Sequence, residues 1–227
     1  MFRRYAIYHL PPAGTEWSHF ATRWLGWDAE TGAMAEPLPN PPAGEIVETP
    51  RRYGLHATLK PPFHLTQGTT PEGLAQATAD LAATLSPVRL DGLDLARIGR
   101  FLALRPRGDE TALNALAAAC VRTLDTFRAP PDEAELARRR ARRLSEQQEA
   151  NLARWGYPHV MDLFRFHITL SGSLDPETLA ATEARLSQDL APLLPAPYMI
   201  DEIALVGEMD DTRFRLISRH QLTGNAA

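Results

Sequence analysis

The order of apolar and polar positions along the chain predicts a mixed succession of strands and helices. Arg4 to Leu10, rich in tyrosine and isoleucine, reads as a first strand ended by Pro11-Pro12. A helix follows from Thr15 to Leu25, with Thr15 as its cap and Phe20 and Trp24 four residues apart on one face. Between Asp28 and Pro50, prolines at 37, 39, 41, 42 and 50 argue against regular structure, so this stretch is expected to be an extended connection or flap. Arg51 to Phe63 alternates as a strand does and is stopped by Pro61-Pro62. Thr70-Pro71-Glu72-Gly73 then supplies a cap, a proline in the first turn and an acid beside it, ahead of Leu74, Ala77, Leu81 and Leu85 on a helix. Two strands are predicted near Val88 to Ile98 and Arg100 to Arg105, with Gly99 at their join.

The same succession then returns. His167-Ile-Thr-Leu repeats His56-Ala-Thr-Leu at an offset of 111, and Asp175-Pro176-Glu177 repeats Thr70-Pro71-Glu72 at 105. Gly207 is matched to Gly99 at 108, and Phe214-Arg-Leu-Ile to Phe101-Leu-Ala-Leu at 113. Four landmarks in one order predict a duplicated strand, helix, strand, strand unit, whose copies pack about a pseudo-two-fold axis. Between the copies, Asp109 to Phe127 reads as an amphipathic helix, and Asp132 to Trp155 as a polar helix carrying Arg138 to Arg143 and stopped by Gly156. This gives one bilobal unit over residues 1–227. Its halves run from about 1 to 128 and from about 157 to 227, with a helical connection at about 129–156.

Side chains two apart on a strand share a face. His56, Thr58 and Lys60 are therefore expected on one face, with Ala57 and Leu59 in the core. In the second copy Arg165, His167, Thr169 and Ser171 share a face, with Phe166, Ile168 and Leu170 on the other. Burying two histidines and two threonines without partners would cost a few kcal/mol each, so both polar faces are expected to border a wet cleft. Two imidazoles beside two hydroxyls suit phosphodiester chemistry. A neutral imidazole takes a proton from the attacking group, an imidazolium protonates the departing oxygen, and each transfer is worth roughly 10²–10⁴ in rate. Thr58 and Thr169 are the candidate phosphate ligands, with Arg165, Lys60 and Tyr8 as further groove residues.

Composition narrows the class. Of 227 residues 24 are basic and 28 acidic, a formal charge of 24 − 28 = −4, which disfavours a general nucleic-acid binder. Lys60 is the sole lysine among the basic residues and Cys120 the sole cysteine, so neither an intrachain disulfide nor a cysteine-rich zinc site can form. Cys120 is expected to be a buried small hydrophobe. The apolar runs are shorter than the roughly 20 residues that cross a bilayer, and a cytoplasmic, membrane-free protein is expected. His9, His19, His64, His159 and His220 are read as surface or locally hydrogen-bonded, Phe101 and Phe214 as packing residues, and Arg51 and Arg52 as exposed charges. No G-x-x-x-x-G-K-[ST] or G-x-G-x-x-G motif is present, and no metal-ligand spacing is found.

The words His56-Ala57-Thr58-Leu59 and His167-Ile168-Thr169-Leu170 resemble the paired H-x-[ST]-x signatures of the 2H phosphoesterase superfamily. The wider word Tyr53 to Phe63, with Arg165-Phe166-His167, resembles a branch associated with phosphonate-degradation genes. The resemblance implies an α+β fold with two antiparallel sheets facing a central groove and helices outside. It also implies a catalytic pair of His56 and His167, no cofactor or metal, and a small phosphorylated substrate such as a cyclic phosphate. An RNA 2′-5′ end-processing enzyme is the disfavoured alternative, and a non-catalytic module binding a phosphorylated metabolite is the other. The sequence leaves open the oligomeric state and which histidine is the base.

Overall fold

The computed structural model describes residues 2–141 and 143–224. In chain order the elements are β1 (Arg4–His9), α1 (Glu16–Leu25), β2 (Trp27–Asp28), β3 (Ala33–Met34), α2 (Gly44–Arg51), β4 (Ala57–Phe63), α3 (Pro71–Thr84), β5 (Val88–Leu90), β6 (Gly92–Ile98), β7 (Phe101–Arg107), α4 (Thr111–Thr123), α5 (Glu133–Arg140), α6 (Glu146–Trp155), β8 (Ile168–Thr169), α7 (Pro176–Asp189), β9 (Tyr198–Ile200), β10 (Glu202–Glu208) and β11 (Phe214–Gln221). The caps are those the residues favour. Thr15, Thr70 and Asp175 each accept a bond from a backbone N–H of the first turn.

Several expectations fail locally. Pro61 and Pro62 lie inside β4 instead of stopping it. The proline-rich stretch contains α2, with Pro50 inside it. A proline there removes the donor that would serve the Ile46 carbonyl. Gly172 N–H donates to that carbonyl instead, at 2.7 Å, so the missing bond is replaced from the second copy. The long arginine-rich helix is two helices. Ser145 and Gln148 form a reciprocal capping box that starts α6 afresh, while α5 buries none of its residues. Arg142 of that run lies outside the described residues.

An antiparallel sheet in the order β11-β10-β1-β4-β8-β7-β6 forms the centre, and the fold is α+β. Its four-stranded and three-stranded groups meet through one pair, Ala57 opposite Ile168. These two residues are counterparts under the offset of 111, so the pseudo-two-fold axis passes between them. The ribbon β5–β9 obeys the same symmetry. Val88 pairs with Ile200 and Leu90 with Tyr198, while Arg89 faces Met199, its own counterpart at an offset of 110. The α3 and α7 helices are both 14 residues long. Gly207 departs from the expected match: it sits within β10, facing Tyr5, and not at a turn.

Strands are exchanged between the copies. First-copy β7, with β6 beyond it, pairs with second-copy β8, whereas β10 and β11 of the second copy join β1 and β4. One face of the sheet packs on the helices through a core that includes Ile7, Ala57, Leu59, Leu104, Ile168 and Leu205. The other carries Ala6, Tyr8, Ala204, Val206 and Phe214. Among the described residues no helix is long and apolar enough to cross a membrane.

Candidate active site at the pseudo-two-fold axis

The pairing of Ala57 with Ile168 positions the site. Both side chains are fully buried in the helix-side core, so His56, Thr58, His167 and Thr169, one residue away on either side, turn to the opposite face. In antiparallel register His56 stands across from Thr169 and Thr58 from His167, which makes the two histidines diagonal neighbours, with Cβ atoms roughly 7–8 Å apart or somewhat less.

Each histidine is held in the same way. His56 Nδ1 lies 2.9 Å from the Gly54 carbonyl oxygen, and His167 Nδ1 lies 2.7 Å from that of Arg165. In both cases the carbonyl is two residues upstream. A carbonyl can only accept, so each Nδ1 carries the proton and donates, leaving each Nε2 as the nitrogen available for chemistry. Gly54 makes this possible in the first copy. Its φ is +73°, and a Cβ there would stand 3.0 Å from the Ala29 Cβ, so the turn that delivers His56 needs glycine.

The surroundings of the two rings differ. His56 is buried, its ring 4.1 Å from that of Tyr8 and 5.6 Å from that of Tyr53, while Tyr53 stacks on Phe214 at 5.3 Å. Burial pushes the His56 imidazole down to about 4, against the pull of the Gly54 carbonyl, and His167 adds to the lowering. His167 is half-buried beside Phe101 at 5.9 Å. Its pKa is lowered by burial first, opposed by the Arg165 carbonyl, with Arg105 and His159 contributing.

Tyr8 also lies on this face, opposite Thr58 in register. Its hydroxyl is buried and has no hydrogen-bond partner among the described residues, which costs about 1–3 kcal/mol unless a ligand supplies one. Burial holds the phenol well above its ordinary value. Thr58 and Thr169 are half-buried. Arg165 shares the strand parity of His167, but its guanidinium is exposed and bonds the Asp162 and Phe164 carbonyls.

Lys60 does not join the site. A bulge between the pairs Tyr8–Thr58 and Ile7–Lys60 inserts one extra residue, so Lys60 shares the face of Ile7 instead of that of Thr58. Its ammonium is buried under the sheet, donating to the Val121 carbonyl at 3.1 Å and to Asp125 at 3.3 Å. Burial lowers it to about 8, against the pull of Asp125.

The sequence reading missed Arg105, Tyr53 and His159. Arg105 is two strand positions beyond Ala103, which pairs with Thr169, so it faces His167 across β7–β8. It is the cation that the strand pattern of Phe101, Ala103 and Arg105 offers this face, and Glu110 holds it at 2.8 Å. Tyr53 was visible in the motif word, but the expected alternation from Arg51 put it on the face opposite His56, whereas it lies in the turn before β4. His159 reaches the site through tertiary structure, because Asn151 on α6 donates to the Pro158 and Val160 carbonyls and fixes that segment. His9, read as a surface or local residue, is buried beneath the sheet with Nε2 2.5 Å from the Tyr198 hydroxyl. Among the described residues no group of three or more His, Cys, Asp or Glu is placed to hold a metal ion.

Known proteins resemble the chain in sequence and in shape. A chain named ribose 1,5-bisphosphate phosphokinase PhnN from Janthinobacterium sp. (strain Marseille) is 34% identical over 217 residues, spanning 90% of this chain and 47% of that one. A protein of the same name from Laribacter hongkongensis (strain HLHK9) is 34% identical over 196 residues, spanning 80% and 43%. The chain thus spans about half the length of the curated relatives it matches. In shape it is similar to TT0787 of Thermus thermophilus, with a TM-score of 0.49, 17% identity and coverage of 98% and 100%. It is also similar to E. coli LigT complexed with 3′-AMP, with a TM-score of 0.47, 16% identity and coverage of 98% and 99%. Residues 58–215 match the family described as "Protein of unknown function (DUF1045)", and the chain belongs to that family.

Proposed function

We propose that the chain is a phosphoesterase of the two-histidine type, acting without a metal on a small cyclic or diester phosphate. The observation that carries this reading is the register that makes His56 and His167 diagonal neighbours about the axis, each with Nδ1 donating to a carbonyl so that Nε2 is left for proton transfer. A ribose phosphate is the favoured substrate class, because the curated relatives are named for a ribose bisphosphate. The phosphokinase part of that name does not transfer to this site. The sequence holds no G-x-x-x-x-G-K-[ST] loop, and its one lysine is buried under the sheet.

In the reaction water supplies the nucleophile. His56, kept neutral by burial, takes its proton at Nε2 while the water oxygen bonds to phosphorus. The bond from phosphorus to the ring oxygen breaks, and protonated His167, on the more open side, gives its proton to that oxygen. Thr58 and Thr169 hold non-bridging oxygens, and Arg105 offsets the charge that builds on them. A negatively charged phosphate between the rings raises both imidazoles and so favours the imidazolium of His167.

The test is turnover of a panel of 2′,3′-cyclic nucleotides and ribose cyclic phosphates by protein freed of metal with a chelator. Product formation is expected. Binding without turnover across the panel favours a module that only holds a phosphorylated metabolite, and a steep loss of binding with salt favours RNA ends as the substrate.

A further inference from the structure

The buried Tyr8 hydroxyl stands at one end of a polar group on the face of the two histidines. Arg4, Ala6 and Tyr8 alternate along β1, paired with Glu208, Val206 and Ala204 of β10. Arg4 grips Glu208 with two bonds, Nε to Oε2 at 2.6 Å and Nη2 to Oε1 at 2.7 Å, and the Glu208 side chain is 7% exposed. Ala6, between Arg4 and Tyr8, is too small to separate their long side chains. Arg4, Glu208, Tyr53 and Tyr157 all bear electrostatically on the Tyr8 phenol. At the other end the Tyr8 ring lies on His56.

Arg4 and Glu208 neutralise one another, so the group offers no net positive charge to a second phosphate. It offers instead an unpartnered phenol and a carboxylate with lone pairs to spare beyond the two that Arg4 uses. Tyr53 adds an aromatic wall. A donor, an acceptor and an aromatic face suit an alcohol-bearing ring, whose hydroxyl can pair with both polar groups while its C–H face packs on the ring.

We propose that Tyr8 and Glu208 form a hydroxyl-binding subsite for a sugar ring attached to the phosphate between His56 and His167. This rests on the reading of those histidines as the phosphate site. Tyr157, carried on the segment behind α6 with Arg139 over its ring at 4.7 Å, is close enough to bear on the same phenol.

The test uses two unreactive probes, D-ribose 5-phosphate and inorganic phosphate, titrated calorimetrically into the whole chain and into Tyr8→Phe. The variant removes only the orphan hydroxyl and should fold, with a thermal midpoint no lower than that of the parent. Ribose 5-phosphate is expected to bind the parent at least tenfold tighter than phosphate does and to lose most of that advantage in Tyr8→Phe, while phosphate binding stays within twofold. Glu208→Gln is expected to narrow the same gap, with a circular dichroism melt to check its fold. The inference is overturned if the parent does not distinguish the probes, or if Tyr8→Phe weakens both equally or neither. Because these are binding measurements, the subsite can stand even where the panel of cyclic phosphates shows no turnover, which would sink the proposed reaction alone.

Discussion

The two halves of the site share one strand word and place it in unlike surroundings. Around His56 the neighbours are rings: Tyr8, Tyr53 and, behind them, Phe214. Around His167 there is one ring, Phe101, with Arg105 and His159 as cationic or titratable neighbours. Duplication supplies two imidazoles held alike, but a base and an acid must differ. The difference comes from the strand that lies beside each copy of the word, since β7 brings Arg105 to one histidine while β1 brings Tyr8 to the other. A symmetric motif acquires asymmetric surroundings through its neighbours.

The largest effect should come from removing either ring. His56→Ala and His167→Ala are each expected to lower kcat at least ~100-fold with the fold retained, read by steady-state turnover together with circular dichroism. Activity near that of the parent in either variant would remove the pair as the catalytic set.

Acid should then separate the halves. An unfolded histidine titrates near 6.5, whereas folded His56 titrates at about 4 and His9 at about 3. Both are depressed, so the unfolded chain gains protons first. The stability these groups contribute is complete above about pH 6.5 and is lost as pH falls from there towards 4 and then 3. His56 alone accounts for up to roughly 3 kcal/mol across its window. Urea midpoints at pH 7 and pH 4.5 should therefore converge more in His56→Ala than in His167→Ala, whose ring is the more open of the two. Equal convergence would erase the contrast between the halves.

The smallest effect is expected at Lys60. Lys60→Met should keep kcat/KM within twofold, because the ammonium lies on the other side of the sheet, and should shift stability by about 2 kcal/mol or less, since Arg128 still pairs with Asp125. A tenfold fall in kcat/KM would return Lys60 to the active face.

Much of this was legible in the residues. The repeated H-x-T words, the helix caps and the offset of 111 are local or periodic signals, and the pairing of Ala57 with its counterpart Ile168 follows from a two-fold duplication. Lys60 was misplaced because parity counts residues along one strand, whereas the bulge is set between two. The α2 helix was unreadable because the bond that lets it tolerate Pro50 comes from Gly172, more than a hundred residues on. Arg105 and Glu208 reach the site by cross-strand register, which the sequence of one strand does not specify.

The strand exchange also governs how the polypeptide comes to be folded. As the chain is synthesised, β1 and β4 emerge early, but β10, the neighbour of β1, is some two hundred residues behind it. β7 waits likewise for β8. Closing such long intervals before any contact rewards them is entropically slow, so neither copy can complete a stable sheet by itself. A chain cut short after the first copy would therefore carry bare sheet edges and one histidine of the two.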